Sequence, residues 1–178
     1  MLKEKFPEAE VHISARDARL LAGDRTLLAG EPQTPIRGSV PKAVKTRADI
    51  YVSEGDQIGS LLVISTPGHT PGSISLLDTR TGALLVGDSM HTRGGLTVSG
   101  HLRLLFPFPA MATWNKEAAL ESARKLSEHK PTLLAAGHGE ILSDPVDAML
   151  RSIAVAERRL KLAHRHKEGE NNGTKARS

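Results

Sequence analysis

Apolar positions along the chain follow two different periods, and the switch between them marks out its elements. Leu2 and Phe6 lie four residues apart ahead of Pro7, a spacing that predicts the end of a helix. Val11-His12-Ile13 predicts a short strand. Ser14, with Asp17 three residues on, is a capping-box-like start for a helix through Ala18, Leu21 and Ala22, which Gly23 ends. Residues 24–48 contain Gly30, Pro32, Pro35, Gly38 and Pro41 without any period and predict a long surface loop of the kind that borders binding sites.

From Ile50 onward the pattern is that of strands. Leu61-Leu62-Val63-Ile64, Ser73-Ile74-Ser75-Leu76-Leu77 and Ala83-Leu84-Leu85-Val86 are apolar runs separated by Gly, Pro and Thr turns, and such continuous runs predict a sheet covered on both faces. Helical spacing returns at Asn115, a capping residue ahead of Ala119, Ala123 and Leu126, with Glu117 in the first turn and Lys125 near the far end, where the helix dipole favours each. Pro131 closes that helix, and Thr132 to Ala136 predicts a last strand. Asp144-Pro145 then opens a helix whose apolar face is Val146, Met149, Leu150, Ile153 and Leu160. After Leu162 the chain turns polar and basic, which predicts a disordered tail over 163–178 behind one domain over 1–162.

Composition narrows the chemistry. The chain has 178 residues and no cysteine, which removes disulfides, thiolate zinc sites and cysteine nucleophiles and leaves His, Asp and Glu as strong metal ligands. No apolar run reaches the ~18 residues of a membrane span, and the N-terminal residues lack the apolar stretch of a signal peptide, so no membrane partner and a cytoplasmic location are expected. The net charge of +4 comes from the end of the chain, where residues 158–178 hold seven Lys/Arg against two Glu. Five aromatics in all and a basic excess confined to one terminus do not describe a nucleic-acid surface.

Three segments place a metal-competent side chain directly after an apolar strand, beside glycines that let the backbone crowd a site: Pro67-Gly68-His69-Thr70-Pro71-Gly72, Gly87-Asp88-Ser89 and Gly137-His138-Gly139. Taken singly, each also reads as an ordinary turn. If their strands end at one edge of a sheet, the three loops meet although they are far apart in sequence.

In order and in flanking strands these segments resemble the later motifs of the metallo-β-lactamase superfamily, over roughly residues 1–160. The resemblance implies a four-layer αββα sandwich, an α/β fold of mixed type, with one or two metal ions, usually zinc, at one edge. By the same resemblance His69 matches a ligand of the first metal, Asp88 the carboxylate bridging two metals, and His138 a ligand of the second. It further implies a hydrolase in which metal-bound hydroxide attacks a small-molecule ester, thioester, lactone, amide or phosphodiester. Without cysteine, and with Asp at the bridging position, the chain is closer to glyoxalase-II-like general hydrolases than to β-lactamases with a cysteine ligand.

The family's opening motif, HxHxDH, is absent from the sequence. The expected fold is therefore the C-terminal portion of the sandwich without its first strands, with an incomplete two-zinc site and no activity of its own. A start placed too far downstream or a truncated gene is the expected explanation, and a metal-free binding or scaffold module of the same fold is the alternative. His164-Arg165-His166 has HxH spacing but lies in the basic tail and reads as solvated charge. His12, His101 and His129 read as surface or capping residues, while His91, three residues after Asp88, either faces substrate or belongs to a loop.

Overall fold

The structure, a computed structural model, describes residues 5–37, 46–101 and 112–175, with side chains described as far as residue 166. Among these residues the first element is β1 (His12–Ser14), which runs into α1 (Ala15–Leu21). Ser14 keeps extended backbone angles and its hydroxyl accepts the Asp17 N–H, so it caps α1 as its residue type predicts. β2 (Ile50–Val52) pairs parallel to β1. Residues 2–4 of the helix end expected at Leu2–Phe6 lie outside the described residues; Lys5 is helical and Pro7 begins a turn.

The main sheet is built from β3 (Gln57–Ile58), β4 (Leu61–Ser65), β5 (Ile74–Asp78), β6 (Ala83–Gly87), β9 (Leu133–Ala136) and β10 (Leu142–Ser143), in the order β10-β9-β6-β5-β4-β3. Between β6 and β9 the chain makes the small hairpin β7 (Met90–His91) and β8 (Thr97–Val98), then α2 (Lys116–Glu128). Asn115 caps α2 by accepting the Ala118 N–H at 2.8 Å. β3 to β6 form an antiparallel meander, whereas β6 and β9 pair parallel across the α2 connection. These directions put the C-terminal ends of β4, β6 and β9 at the same edge of the sheet, as the three motif-bearing loops require.

Register explains the core. Leu84 pairs with Leu77 and with Leu134, so these share a face with Ile64 and Val86, and that face packs against Ala119, Leu120, Ala123 and Leu126 of α2. Met149, Ile153 and Ala156 of α3 (Val146–Lys175) complete the cluster. Each large aliphatic side chain buried there stabilises the fold by about 1.5–3 kcal/mol. The opposite face is covered unevenly: Val63 is buried, but Leu85 is 41% exposed. The two-sided cover expected from the apolar runs thus holds for only part of the sheet among the described residues. The overall architecture is nevertheless the mixed α/β one expected, with helices laid on a largely antiparallel sheet.

α3 departs from expectation twice. Its buried stripe is Met149, Ile153 and Ala156, with Leu160 packed beside it, at spacings of three and four residues, so Leu150 lies about 100° round the helix and is 52% exposed. The helix also continues to Lys175, through the segment expected to be disordered beyond Leu162. Propagation from packed early turns adds a hydrogen bond for each residue fixed, which carries the helix past its last apolar contact although Gly169, Asn171, Asn172 and Gly173 are poor helix formers. His164 reaches the start of α2, with Nε2 3.1 Å from Glu117 Oε1. No helix among the described residues is long and apolar enough to cross a membrane.

Candidate metal centre

The turn after β4 is gripped from two sides. On one, Pro67 O accepts the Ser122 hydroxyl at 2.7 Å, Gly68 O the Asn115 N–H at 2.9 Å and His69 O the Trp114 N–H at 3.0 Å. The start of α2 therefore holds the backbone of Pro67-Gly68-His69, and a Cβ on Gly68 would overlap the Cα of Ala119. On the other side, Gly72 O accepts the Ser14 hydroxyl at 2.6 Å, while Asp17 takes the Thr70 hydroxyl at 2.5 Å and the Gly72 N–H at 2.9 Å.

The other two segments are tied to each other. Gly137 N–H donates to Gly87 O at 2.8 Å and Thr92 N–H to His138 O at 3.0 Å. A Cβ on Gly137 would come within 2.7 Å of Asp88 Oδ1, so this glycine leaves room for the carboxylate. The result is an aspartate between two imidazoles: His69 Nε2 lies 3.8 Å from Asp88 Oδ2, and His138 Nε2 lies 3.5 Å from Asp88 Oδ1. The three residues singled out from the sequence are thus brought together, with each imidazole facing a different carboxylate oxygen. Asp88 is 39% exposed and His138 49%, so the group is open to solvent on one side.

His69 lies deeper, and its proton affinity falls below the ordinary histidine value because burial disfavours the cation, against the opposing charges of Asp88 and Asp17. A neutral imidazole is the form that binds metal. Ser99 Oγ is 3.4 Å from His69 Nδ1 and 2.8 Å from Thr113 Oγ1, which places a hydroxyl pair behind the ring. Among the described residues no three His, Asp or Glu side chains close on a single point as a metal cage. Each imidazole instead faces its own oxygen of Asp88, at 3.8 and 3.5 Å.

The remaining histidines are elsewhere. His91 belongs to β7, opposite Thr97, and is buried, so it neither faces an open site nor belongs to a loop. His101 is also buried, contrary to the surface or capping role expected; its Nε2 has no hydrogen-bond partner among the described residues, and burial beside Lys116 and Arg159 lowers its pKa to about 4. The short strands around these two residues leave no apolar period from which burial can be read. His12 contacts Glu10 at 3.2 Å and His129 caps the end of α2. Loop 24–48 is tied to the start of α2 through the bond from Trp114 Nε1 to Thr34 O, and residues 38–45 of it lie outside the described residues. The sequence does not mark Asp17, 53 residues from its partner Thr70, or Ser99, 30 residues from His69, because contacts at such separations leave no local signal.

Residues 1–138 match the sequence model of the Metallo-beta-lactamase superfamily. The chain is 51% identical over 157 residues to the uncharacterized protein YobT of Bacillus subtilis, a match that takes in 88% of this chain and 67% of YobT. It is 39% identical over 79 residues to the probable metallo-hydrolase YflN of the same organism, covering 43% of this chain and 30% of YflN. Among solved structures, the di-iron-bound form of TTHA1623 superposes with a TM-score of 0.52 at 22% identity, over 83% of this chain and 65% of that one. The chain therefore spans about two thirds of the length of YobT and of that structure, and less of YflN. The match of the family pattern over residues 1–138, most of the sequence, leaves one conclusion: the chain belongs to the metallo-beta-lactamase superfamily.

Proposed function

We propose that the chain carries one side of a metal-dependent hydrolytic centre, with His69 and His138 as imidazole ligands at two metal positions and Asp88 as the carboxylate between them. The observation that carries this reading is the convergence of three strand-end loops on Asp88, whose two oxygens face the two imidazoles at 3.8 and 3.5 Å. Nitrogen and oxygen donors without thiolate suit zinc, and the same set suits iron, the metal in the related TTHA1623 structure. The donors fit such an ion in kind; in number they supply one imidazole and a shared carboxylate per position, where zinc sites have about three or four ligands.

When bound, divalent metal would supply Lewis acidity toward a carbonyl or phosphoryl oxygen and acidify a water near neutral pH. The chain's own residues hold and orient. The start of α2 fixes the backbone of His69, the bond from Gly137 to Gly87 keeps the two later loops together, and Asp88 would supply negative charge toward bound metal. Exposure of Asp88 and His138 leaves the site open to a small ester, thioester, lactone or phosphodiester. The similarity to YflN, a probable metallo-hydrolase, supports the hydrolytic class.

The missing HxHxDH string means that a complete centre needs donors beyond these three residues. The short ligand count also favours a second reading, a non-catalytic binding module of the same fold. Elemental analysis after dialysis against a mild chelator, paired with hydrolysis assays on an ester, lactone and phosphodiester panel, tests both. The chain of 178 residues should retain well under one zinc per molecule and turn nothing over, whereas a longer chain with an HxHxDH-bearing segment ahead of it should retain metal and hydrolyse part of the panel. Close to two zinc ions per molecule in the present chain would contradict the half-centre, and metal without hydrolysis in the longer chain would favour the binding module.

A further inference from the structure

We propose that Asp17, on the first turn of α1, is a positioning residue for His69: its carboxylate clamps Thr70 and Gly72, so the ring enters the candidate centre from a turn held at both ends. The inference rests on the metal role proposed for His69.

An aspartate in the first turn of a helix ordinarily needs no further explanation, because it complements the helix dipole. Asp17 does more than that. Both of its carboxylate oxygens turn away from α1 to a turn more than fifty residues on, Oδ2 accepting from the Thr70 hydroxyl at 2.5 Å and Oδ1 from the Gly72 N–H at 2.9 Å. Thr70 is locked in turn, its hydroxyl 2.6 Å from Ser73 Oγ and its N–H donating to that same oxygen at 3.0 Å. The fit at Gly72 is close: an added Cβ would lie 2.5 Å from Asp17 N and 2.6 Å from both Asp17 Oδ1 and Ser14 Oγ.

The two grips on the turn are complementary. α2 holds residues 67–69 through Ser122, Asn115 and Trp114, and α1 holds residues 70–72 through Asp17 and Ser14. With the first grip alone, the backbone after His69 is held only by bonds within the turn, Gly68 N–H to Thr70 O at 2.9 Å and Thr66 N–H to Ser73 O at 2.8 Å; the second grip ties it to α1 and so bears on the direction in which the ring projects. The Asp17 carboxylate, bonded to Thr70 and Gly72 directly after His69, also brings negative charge to the turn that carries the ring, an effect that would serve a bound cation. The carboxylate therefore acts twice, through geometry and through charge.

Substitutions separate the two actions. Asp17→Asn keeps an oxygen for the Gly72 N–H, and the Thr70 hydroxyl can accept from the new amide while donating to Ser73, so the clamp survives and the charge is lost. Asp17→Ala loses both, and Thr70→Val removes one strut while leaving the charge. In the full chain, carbon-13 relaxation of the His69 ring reports its order without any metal, and a zinc titration followed at the same ring reports affinity. Asp17→Ala should mobilise the ring and weaken zinc at His69 by about tenfold or more, the usual scale for residues that orient a ligand. Asp17→Asn should keep the ring ordered and weaken zinc by a smaller factor. Thr70→Val should loosen the ring, and Asp24→Asn, which removes a carboxylate paired with Arg19 beyond the other end of α1, should change neither. A ring as ordered in Asp17→Ala as in the unaltered chain overturns the proposal; if that variant does not fold, an unchanged ring in Thr70→Val does so. If the ring loosens as expected but zinc shifts no His69 signal even in the unaltered chain, positioning stands and the metal role of His69 falls.

Discussion

At position 88 an aspartate and an asparagine would serve a turn almost equally, but they are not equal between two cations, where the amide keeps the volume and loses the charge. In a chain extended by an HxHxDH-bearing segment, Asp88→Asn should cut turnover by at least about tenfold, or ~1.4 kcal/mol of barrier, while urea unfolding shifts by no more than about 0.5 kcal/mol. Full turnover in that variant would reduce Asp88 to a turn residue. His101 carries a different prediction. Its folded pKa of about 4 lies below the ordinary histidine value of 6.5, so as pH falls the unfolded chain takes up the proton first. Stability from this group is complete above 6.5 and is lost as pH falls toward 4, by up to about 3 kcal/mol. His101→Gln should flatten the dependence by about one proton when urea unfolding is compared between pH 7 and pH 4.5; an unchanged slope would mean that His101 titrates normally. Residue by residue, the sequence marks His69, Asp88 and His138 because each follows an apolar run and stands beside glycine, and the fold brings these three side chains together. Asp17 was not, since its role lies in contacts with Thr70 and Gly72 that only the folded chain creates.

Elements were legible where their period ran long enough. β4, β5, β6 and β9 coincide with apolar runs between turn residues, and Asn115 caps α2 where its side chain predicts. β3, β7, β8 and β10 are two residues long, too short for any alternation to show. In α3 the apolar residues outnumber those that the core can take, so the pattern alone could not choose between Met149 and Leu150 as neighbours on the buried face. The structure chooses Met149, fully buried against the sheet and α2, and leaves Leu150 exposed. Met149→Ala should therefore cost about 2–5 kcal/mol, and Leu150→Ala no more than about 0.5 kcal/mol, in chemical denaturation. Equal losses would show that the helix is rotated from the orientation described. The continuation of α3 to Lys175 was hidden for the opposite reason: a polar segment has no apolar stripe to announce it, yet it can extend a helix already nucleated by packing.

For the whole molecule, the arrangement that matters is strand direction. Because β4, β6 and β9 run the same way, the loops that follow them gather at one sheet edge, and residues 19 and 50 positions apart meet around one carboxylate. That much was legible from the order of strands and motifs. Cover of the second sheet face was overestimated, because an apolar run reports that a strand can be buried on both sides and not that something packs there; Leu85 stays exposed while Val63 does not. The central claim is that His69 and His138 bind metal on either side of Asp88. It is tested most directly by following the ring nitrogens of all eight histidines by NMR as zinc is added to the metal-free chain. The account predicts that His69 and His138 shift together at Nε2, weakly in the unaltered chain and not at all in Asp88→Asn, while His12, His91, His101 and His129 stay unchanged. Zinc shifts that appear first at His164 and His166, or that survive Asp88→Asn undiminished, would contradict it.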